Sequence, residues 1–348
     1  MKPTICMILF CCLLFTARSQ DAASRYINDG VDLHDRGYLE EAILKYDSAL
    51  RLDPKHYLAN YEKALTLTEL KRYADAAALC DFVLREHPDS AARLVYVLYG
   101  TLLDYQGQGD EAVRIYTKGI RKNPDSYILY FNRAVSYAQQ NKTDDAEADL
   151  AHALARNPYH PGSHNLLARL QESANPVYSL LATAFFLALE QRGERATAAL
   201  QRLDRLLGAG VEQKDEKNIS ISVFMPSEKD KKKNNEFSRV HLLMSLTAAT
   251  VMSGHKNDAH ADRIRLIMSG AIASLSVPRK EDRGFGWRFY APLLADLEKA
   301  GHLEAWAHLA CSSENDSANA AWLSQHKEAV TAFRDWLNGY SWPRNVDK

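Results

Sequence analysis

The chain has 348 residues, 46% of them hydrophobic and 25% charged, with a formal net charge of −1. That length and apolar content suffice for two modules with separate cores. The near-balanced charge argues against a nucleic-acid partner and excludes a long acidic disordered chain.

The first element stands apart from the rest. Lys2 supplies a positive start, Thr4 to Thr16 form an apolar stretch too short to span a bilayer, and Ala17 and Ser19 place small residues before Gln20. This pattern predicts a secretory signal peptide over residues 1–19, with a buried N-terminal helix or retained anchor as the alternative. Phe10 precedes Cys11 where a lipobox carries a small residue, which argues against a lipoprotein. Cleavage would remove Cys6, Cys11 and Cys12 and leave Cys80 and Cys311, too few for a disulfide framework. Cys80 falls on a repeat core position and reads as a buried free thiol. No later segment is long and apolar enough to cross a membrane, so no stable insertion is expected after cleavage.

From residue 23 the chain repeats. Pro54, Pro88, Pro124 and Pro158 are spaced by 34, 36 and 34 residues. The unit at about 23–56 carries Tyr26, Gly30, Leu33, Ala42, Tyr46, Ala49 and Pro54. The unit at 57–90 carries Asn60, Ala64, Leu67, Ala76, Cys80, Val83 and Pro88 at the same offsets. The third, 93–126, has Tyr96, Gly100, Leu103, Ala112, Tyr116, Gly119 and Pro124, and the fourth, 127–160, has Tyr130, Ala134, Tyr137, Ala146, Leu150, Ala153 and Pro158. Ala91 and Ala92 account for the longer gap. Glycine or alanine at the eighth position lets two helices approach closely, and the aromatic after the alanine fills the space between units. The proline ends the second helix by pushing its predecessor out of the α region, while Gly37 and Gly107 mark turns inside units.

This pattern resembles the tetratricopeptide repeat, a helix–turn–helix unit of about 34 residues, over residues 23–160. The resemblance implies an all-α solenoid whose first helices line a concave protein-binding groove. The positions implied are Ile27, Asn28 and Val31; Leu58, Tyr61, Glu62 and Leu65; Leu94, Val97, Leu98 and Thr101; Ile128, Phe131, Asn132 and Val135. A largely apolar surface of that size calls for a cover. A partner peptide or helix is one cover; the C-terminal half is another, and some of these residues would be inter-repeat core. Members that hold a C-terminal carboxylate do so with Lys, Asn, Asn, Lys and Arg. Here Asn132 with Arg133 matches the middle of that clamp, but Val97, Thr101, Gly162 and Leu166 stand where flanking polar and cationic residues belong, so a carboxylate clamp is not expected.

Beyond Pro158 the period fades. Residues 161–212 read as a degenerate fifth unit and capping helices, with Tyr178 to Glu190 apolar all round and hence buried, placed where the two halves join. Glu194 to Leu207 is amphipathic and ends at Gly208 and Gly210. Residues 213–236 hold the lone strand signal, Asn218 to Phe224, where Ile219, Ile221 and Val223 alternate with polar residues. A Lys-rich run follows, Lys229 to Lys233, read as a solvated mobile loop. Residues 237–348 predict a helical domain with segments near 237–253, 258–275, 287–300, 302–311 and 326–338. Its aromatics, Trp287, Phe289, Tyr290, Trp306, Trp322, Phe333, Trp336, Tyr340 and Trp342, read as core. The stretches Gly284 to Leu309 and Ala321 to Tyr340 are similar to the C-terminal part of exported tetratricopeptide proteins of bacteroidete-type bacteria, which implies the periplasm or cell envelope of a Gram-negative organism.

No metalloprotease helix motif, phosphate-binding loop, nucleophile elbow or paired-cysteine motif is present. His255, Asp258, His260 and Asp262 form the best metal candidate, but a loop with Asp258 capping the next helix explains them as well. His160 and His164 flank Pro161 and Gly162, which breaks a preformed helical pair. No catalytic residue, metal or cofactor is therefore expected. The expectation is an all-α tetratricopeptide solenoid with a C-terminal helical domain and one short isolated strand, acting as a non-enzymatic adaptor. The groove candidates are Ile27, Val31, Tyr61, Leu65, Val97, Leu98, Thr101, Phe131, Asn132 and Val135. The alternative is an enzyme or small-ligand binder with its site in the aromatic C-terminal half.

Overall fold

A computed structural model describes residues 22–88, 93–213, 218–222, 224–225, 227–233, 235–343 and 346. The expected signal peptide and the spacer Ala91–Ala92 lie outside them. The chain divides into two compact units, one up to Lys142 and one from Thr143. The division falls between the two helices of the fourth repeat.

The first unit is a run of antiparallel helix pairs. Helix α1 covers residues 22–35, followed by α2 (Leu39–Leu52), α3 (Tyr57–Glu69), α4 (Tyr73–Glu86), α5 (Arg93–Tyr105), α6 (Gly109–Lys122) and α7 (Tyr127–Gln139). The second helices α2, α4 and α6 stop two residues before their prolines, and the intervening residues are extended away from helical geometry (Asp53 φ −142°, Asn123 φ −134°). This is the backbone effect expected of a residue preceding proline. Inside each pair the chain turns by the same device. The amides of Tyr38, Arg72, Gln108 and Lys142 donate to the carbonyls of Leu33, Leu67, Leu103 and Tyr137. Each turn passes through one left-handed residue: Gly37 (φ 82°), Lys71 (59°), Gly107 (73°) and Asn141 (58°). The glycines in repeats one and three were legible; in repeats two and four the hydrogen-bonded turn holds a lysine and an asparagine in that conformation.

Small residues set the helix spacing. A Cβ on Gly30 would meet the Tyr46 ring at 2.5 Å, and one on Gly100 the Tyr116 ring at 2.4 Å. In the second repeat the same two positions are Ala64 and Cys80, both buried. Ala64, Leu67, Ala76, Cys80, Tyr96 and Tyr116 belong to one continuous core. Tyr26 is the exception at 37% exposed, since no described helix stacks before α1. Polar ties recur with the repeat: His34 bonds Thr66 and Ser136 bonds Asp104, each 32 residues apart in sequence.

The second unit begins with α8 (Thr143–Arg156), α9 (Pro161–Gln171), α10 (Pro176–Leu189) and α11 (Glu194–Leu207). Every residue of α10 from Val177 to Ala188 is buried, and the helix packs on α9, α11 and two later helices, α15 (Phe285–Lys299) and α16 (Leu303–Ala310). It is therefore the core helix of this unit. The strand expected to be isolated is paired: β2 (Ile219–Ile221) runs antiparallel to β1 (Val211–Gln213), with Val211 opposite Ile221. Gly210 (φ 80°) makes this possible, because it turns the chain out of α11 and its carbonyl accepts from Ser222.

The Lys-rich run is not a free loop. Residues Glu228–Lys232 form the short helix α12, and Lys233 is half-buried with its ammonium on Asp144 (2.6 Å) and Glu147. Helices α13 (Ser238–Gly254), α14 (His260–Leu275), α15, α16, α17 (Ser317–Gln325) and α18 (Lys327–Asn338) follow, with a 3₁₀ turn at Cys311–Ser313. Helix α17 was not anticipated. It buries only Asn319, so it carries no apolar period, but Asp316 caps it by accepting from the Ala318 amide at 2.8 Å. Of the aromatics expected in the core, Trp287, Phe289, Tyr290, Trp306 and Phe333 are buried, whereas Trp322, Trp336, Tyr340 and Trp342 are half-buried; Phe237 stacks on Trp287 at 4.7 Å and Phe289 on Trp342 at 4.8 Å.

Candidate functional site

The expected groove residues lie on α1, α3, α5 and α7, where α3 touches α5 and α5 touches α7. The structure divides them. Ile27 (2% exposed) packs with Ala23, Ala49 and Ala59, and Leu98 (8%) lies in the main core of this unit. These two are inter-helix core and not groove residues, because the helices approach too closely to leave them on a surface. Val31, Tyr61, Leu65, Val97, Thr101, Phe131, Asn132 and Val135 are all half-buried. Leu58 (42%) and Leu94 (46%) extend the apolar row into solvent.

Polar groups on these helices are largely committed. The Asn132 amide donates to the Ile128 carbonyl of its own helix at 2.8 Å. Arg133 donates to Thr117 and lies over the Tyr130 and Tyr137 rings. Tyr61 stacks on Tyr57 at 6.4 Å, and burial pushes its phenol up to about 12. Burial likewise raises the Glu62 carboxyl, opposed by His34. The surface thus offers apolar contact rather than a row of free charges.

The second unit holds an open cleft of about 890 Å³ that sequence reasoning did not foresee. Leu207, Val251 and Ile264 contribute apolar wall; Asp204, His260 and Glu314 face it with charge. His260 opens α14, Asp204 comes from the last turn of α11, and Cys311 and Glu314 come from the 3₁₀ turn after α16 and the residue that follows it. The imidazole is held at both nitrogens: Nε2 lies 2.8 Å from Asp204 Oδ1 and Nδ1 lies 2.8 Å from Glu314 Oε1. Cys311 Sγ is 4.0 Å from the same Nδ1 and is fully buried. The hydrogen bond to Asp204, then that to Cys311, pushes His260 up to about 11. Burial pushes the Cys311 thiol up, with His260 opposing.

The four residues singled out as a metal candidate do not converge. His255 Nδ1 binds Asp258 Oδ2 at 2.7 Å, so Asp258 does not cap α14, whose N-cap is Ala259. His260 turns to Asp204 and Glu314, while Asp262 lies near Glu304 and His308. His308 is fixed by Asn319 at 2.7 Å and stacked on Trp322 at 3.8 Å. His164 is buried and fully partnered: one ring nitrogen lies 2.7 Å from the Tyr290 hydroxyl and the other 2.8 Å from the Pro158 carbonyl. Burial lowers its pKa to about 3, so it is a neutral structural histidine. The space left among Phe185, Trp306 and Phe333 is about 10 Å³, no larger than one water.

A tetratricopeptide repeat model matches residues 30–91 and 100–175, so this stretch is a tetratricopeptide-repeat array. RNA polymerase II-associated protein 3 of Rattus norvegicus is 32% identical over 154 residues, covering 42% of this chain and 22% of that protein. Uncharacterized protein y4yS of Sinorhizobium fredii is 30% identical over 102 residues, 28% of this chain and 55% of that one. The matches thus span about a fifth and about half of these relatives. Among solved structures, a segment of MamA from Desulfovibrio magneticus RS-1 is 19% identical with a TM-score of 0.45, covering 49% of this chain and 96% of that chain. Among the described residues no helix is long and apolar enough to cross a membrane.

Proposed function

We propose that the chain is a non-enzymatic adaptor whose first-helix face, built on α1, α3, α5 and α7, receives a peptide or helix of a protein partner. The observation that carries this reading is the row of half-buried apolar side chains Val31, Tyr61, Leu65, Val97, Phe131 and Val135, flanked by exposed Leu58 and Leu94. Stacked repeats present such rows as continuous binding surfaces. The setting proposed is the envelope of a Gram-negative bacterium, in a protein similar to exported bacteroidete-type repeat proteins with a helical C-terminal extension. It is supported by the signal-peptide pattern of residues 1–19 and the order of the C-terminal aromatics.

The test is photo-crosslinking from Tyr61 and Phe131 in native envelopes, followed by mass spectrometry. A discrete adduct lost in the Leu58→Glu, Leu94→Glu double variant is expected. Absence of any adduct, with the double variant behaving as wild type in cells, would overturn the adaptor reading. N-terminal sequencing of the mature protein should begin at Gln20 if residues 1–19 are cleaved.

A further inference from the structure

We propose that Cys311, His260 and Glu314 bind a divalent transition metal of the zinc class, with the fourth coordination position open to the cleft of the second unit. One donor atom from each of the three residues lies within 4.8 Å of the other two. A tetrahedral ion with bonds of about 2.3 Å to sulfur and about 2.0–2.2 Å to nitrogen and oxygen holds its donors about 3.4–3.6 Å apart. The sulfur–Nδ1 separation of 4.0 Å would close slightly, and the Nδ1–Oε1 separation of 2.8 Å would open, as an ion replaces the proton between them. Both adjustments are within about 0.6 Å of that tetrahedral spacing.

The surroundings fit a metal centre in three ways. Asp204 holds the other imidazole nitrogen at 2.8 Å, the carboxylate partner that fixes the tautomer and orientation of a metal-bound histidine. The ligands are graded in depth, with the thiol buried, the imidazole half-buried and the carboxylate at the exposed edge. Asp204, His260 and Glu314 line the open cleft, so a fourth position for water or a ligand is available there. The donor set selects the ion. Thiolate and imidazole favour Zn²⁺ over Mg²⁺ and Ca²⁺, which take oxygen ligands. On binding, the Cys311 thiol and the His260 imidazolium each release one proton to solvent, and Zn²⁺ takes their places without redox change. None of this depends on the groove of the first unit.

The test uses tag-free full-length protein, apo by chelation, with Zn²⁺ as probe in equilibrium dialysis and Co²⁺ as spectroscopic substitute. Wild type should retain one more equivalent of Zn²⁺ than Cys311→Ser, a difference that isolates this site from the other cysteines. The Co²⁺ form should show a thiolate charge-transfer band that Cys311→Ser abolishes. Glu314→Gln, at the exposed edge and harmless to packing, should weaken Zn²⁺ binding at least tenfold, and Asp204→Asn about 10–100-fold. Millimolar Mg²⁺ should not displace Zn²⁺. Circular dichroism checks that each variant is folded. Equal zinc content in folded wild type and Cys311→Ser, or unchanged affinity in Glu314→Gln, would overturn the proposal.

Discussion

Replacing Gly100 by alanine would set a Cβ 2.4 Å from Cε1 and Cζ of Tyr116 and 2.9 Å from Cδ1. Carbon atoms in contact prefer about 3.5–4.0 Å, so the overlap exceeds about 1 Å. The ring has nowhere to go: Tyr116 is 1% exposed and its hydroxyl is tied to Thr101 at 3.1 Å. Overpacking of this kind costs about 2–3 kcal/mol, and the helix preference of alanine over glycine offsets about 1 kcal/mol. Gly100→Ala should therefore destabilise by a net of about 1–2 kcal/mol in urea unfolding followed by circular dichroism. The second repeat supplies the compensating pair, since it carries Ala64 with Cys80 at these positions. Tyr116→Cys alone should cost about 3–4 kcal/mol through the cavity it leaves. The double variant should be more stable than the sum of the singles by about 1–2 kcal/mol, well beyond the scatter of independent sites. Additivity within about 0.5 kcal/mol, or a Gly100→Ala protein more stable than wild type, would refute the close-approach argument.

Other consequences follow from local chemistry. His164 is neutral in the folded protein with its pKa lowered to about 3 by burial, whereas an unfolded histidine titrates near about 6.5. Between those values the unfolded chain binds one more proton, so the His164 contribution is intact above about pH 6.5 and falls by about 1.4 kcal/mol per unit of acidification. Urea titrations at pH 7.5 and 5.0 should show about 2 kcal/mol of acid loss from this group, absent in His164→Gln. Lys71 sits at φ 59°, and Lys71→Gly should leave stability unchanged or raise it by up to about 1 kcal/mol, the relief of left-handed strain outweighing the entropy of glycine. A clear loss in thermal unfolding would contradict this. Lys233→Met should cost about 1–3 kcal/mol, discounted for partial exposure, because Glu147 is buried and loses its counter-charge. A double cycle with Glu147→Gln should recover most of it if the ion pair is the cause.

The repeat array was legible because its determinants are local. A proline two residues past each second helix, a turn residue and a small–large pair act through the backbone of their own segment or its immediate neighbour, and their period survives in the sequence. The boundaries of α13, α14 and α18 were readable within a few residues for the same reason. Lys71 and Asn141 were missed as turn residues because the hydrogen-bonded turn, not the side chain, imposes their conformation. Ile27 and Leu98 had the position of groove residues and the burial of core ones, since exposure depends on how closely neighbouring helices pack.

What the sequence by itself determined is the phase of the repeats, their turns and the apolar character of their first helices. Tertiary structure alone decided which of those residues remain at a surface, that β2 pairs with β1, and that Lys233 is anchored on Asp144 and Glu147. It also brought Asp204, His260 and the Cys311–Glu314 turn together from three separate segments. Periodic packing repeats along the chain and is written there; a convergence of side chains from distant elements has no period, and exists only once the core around α10 has set those elements in place.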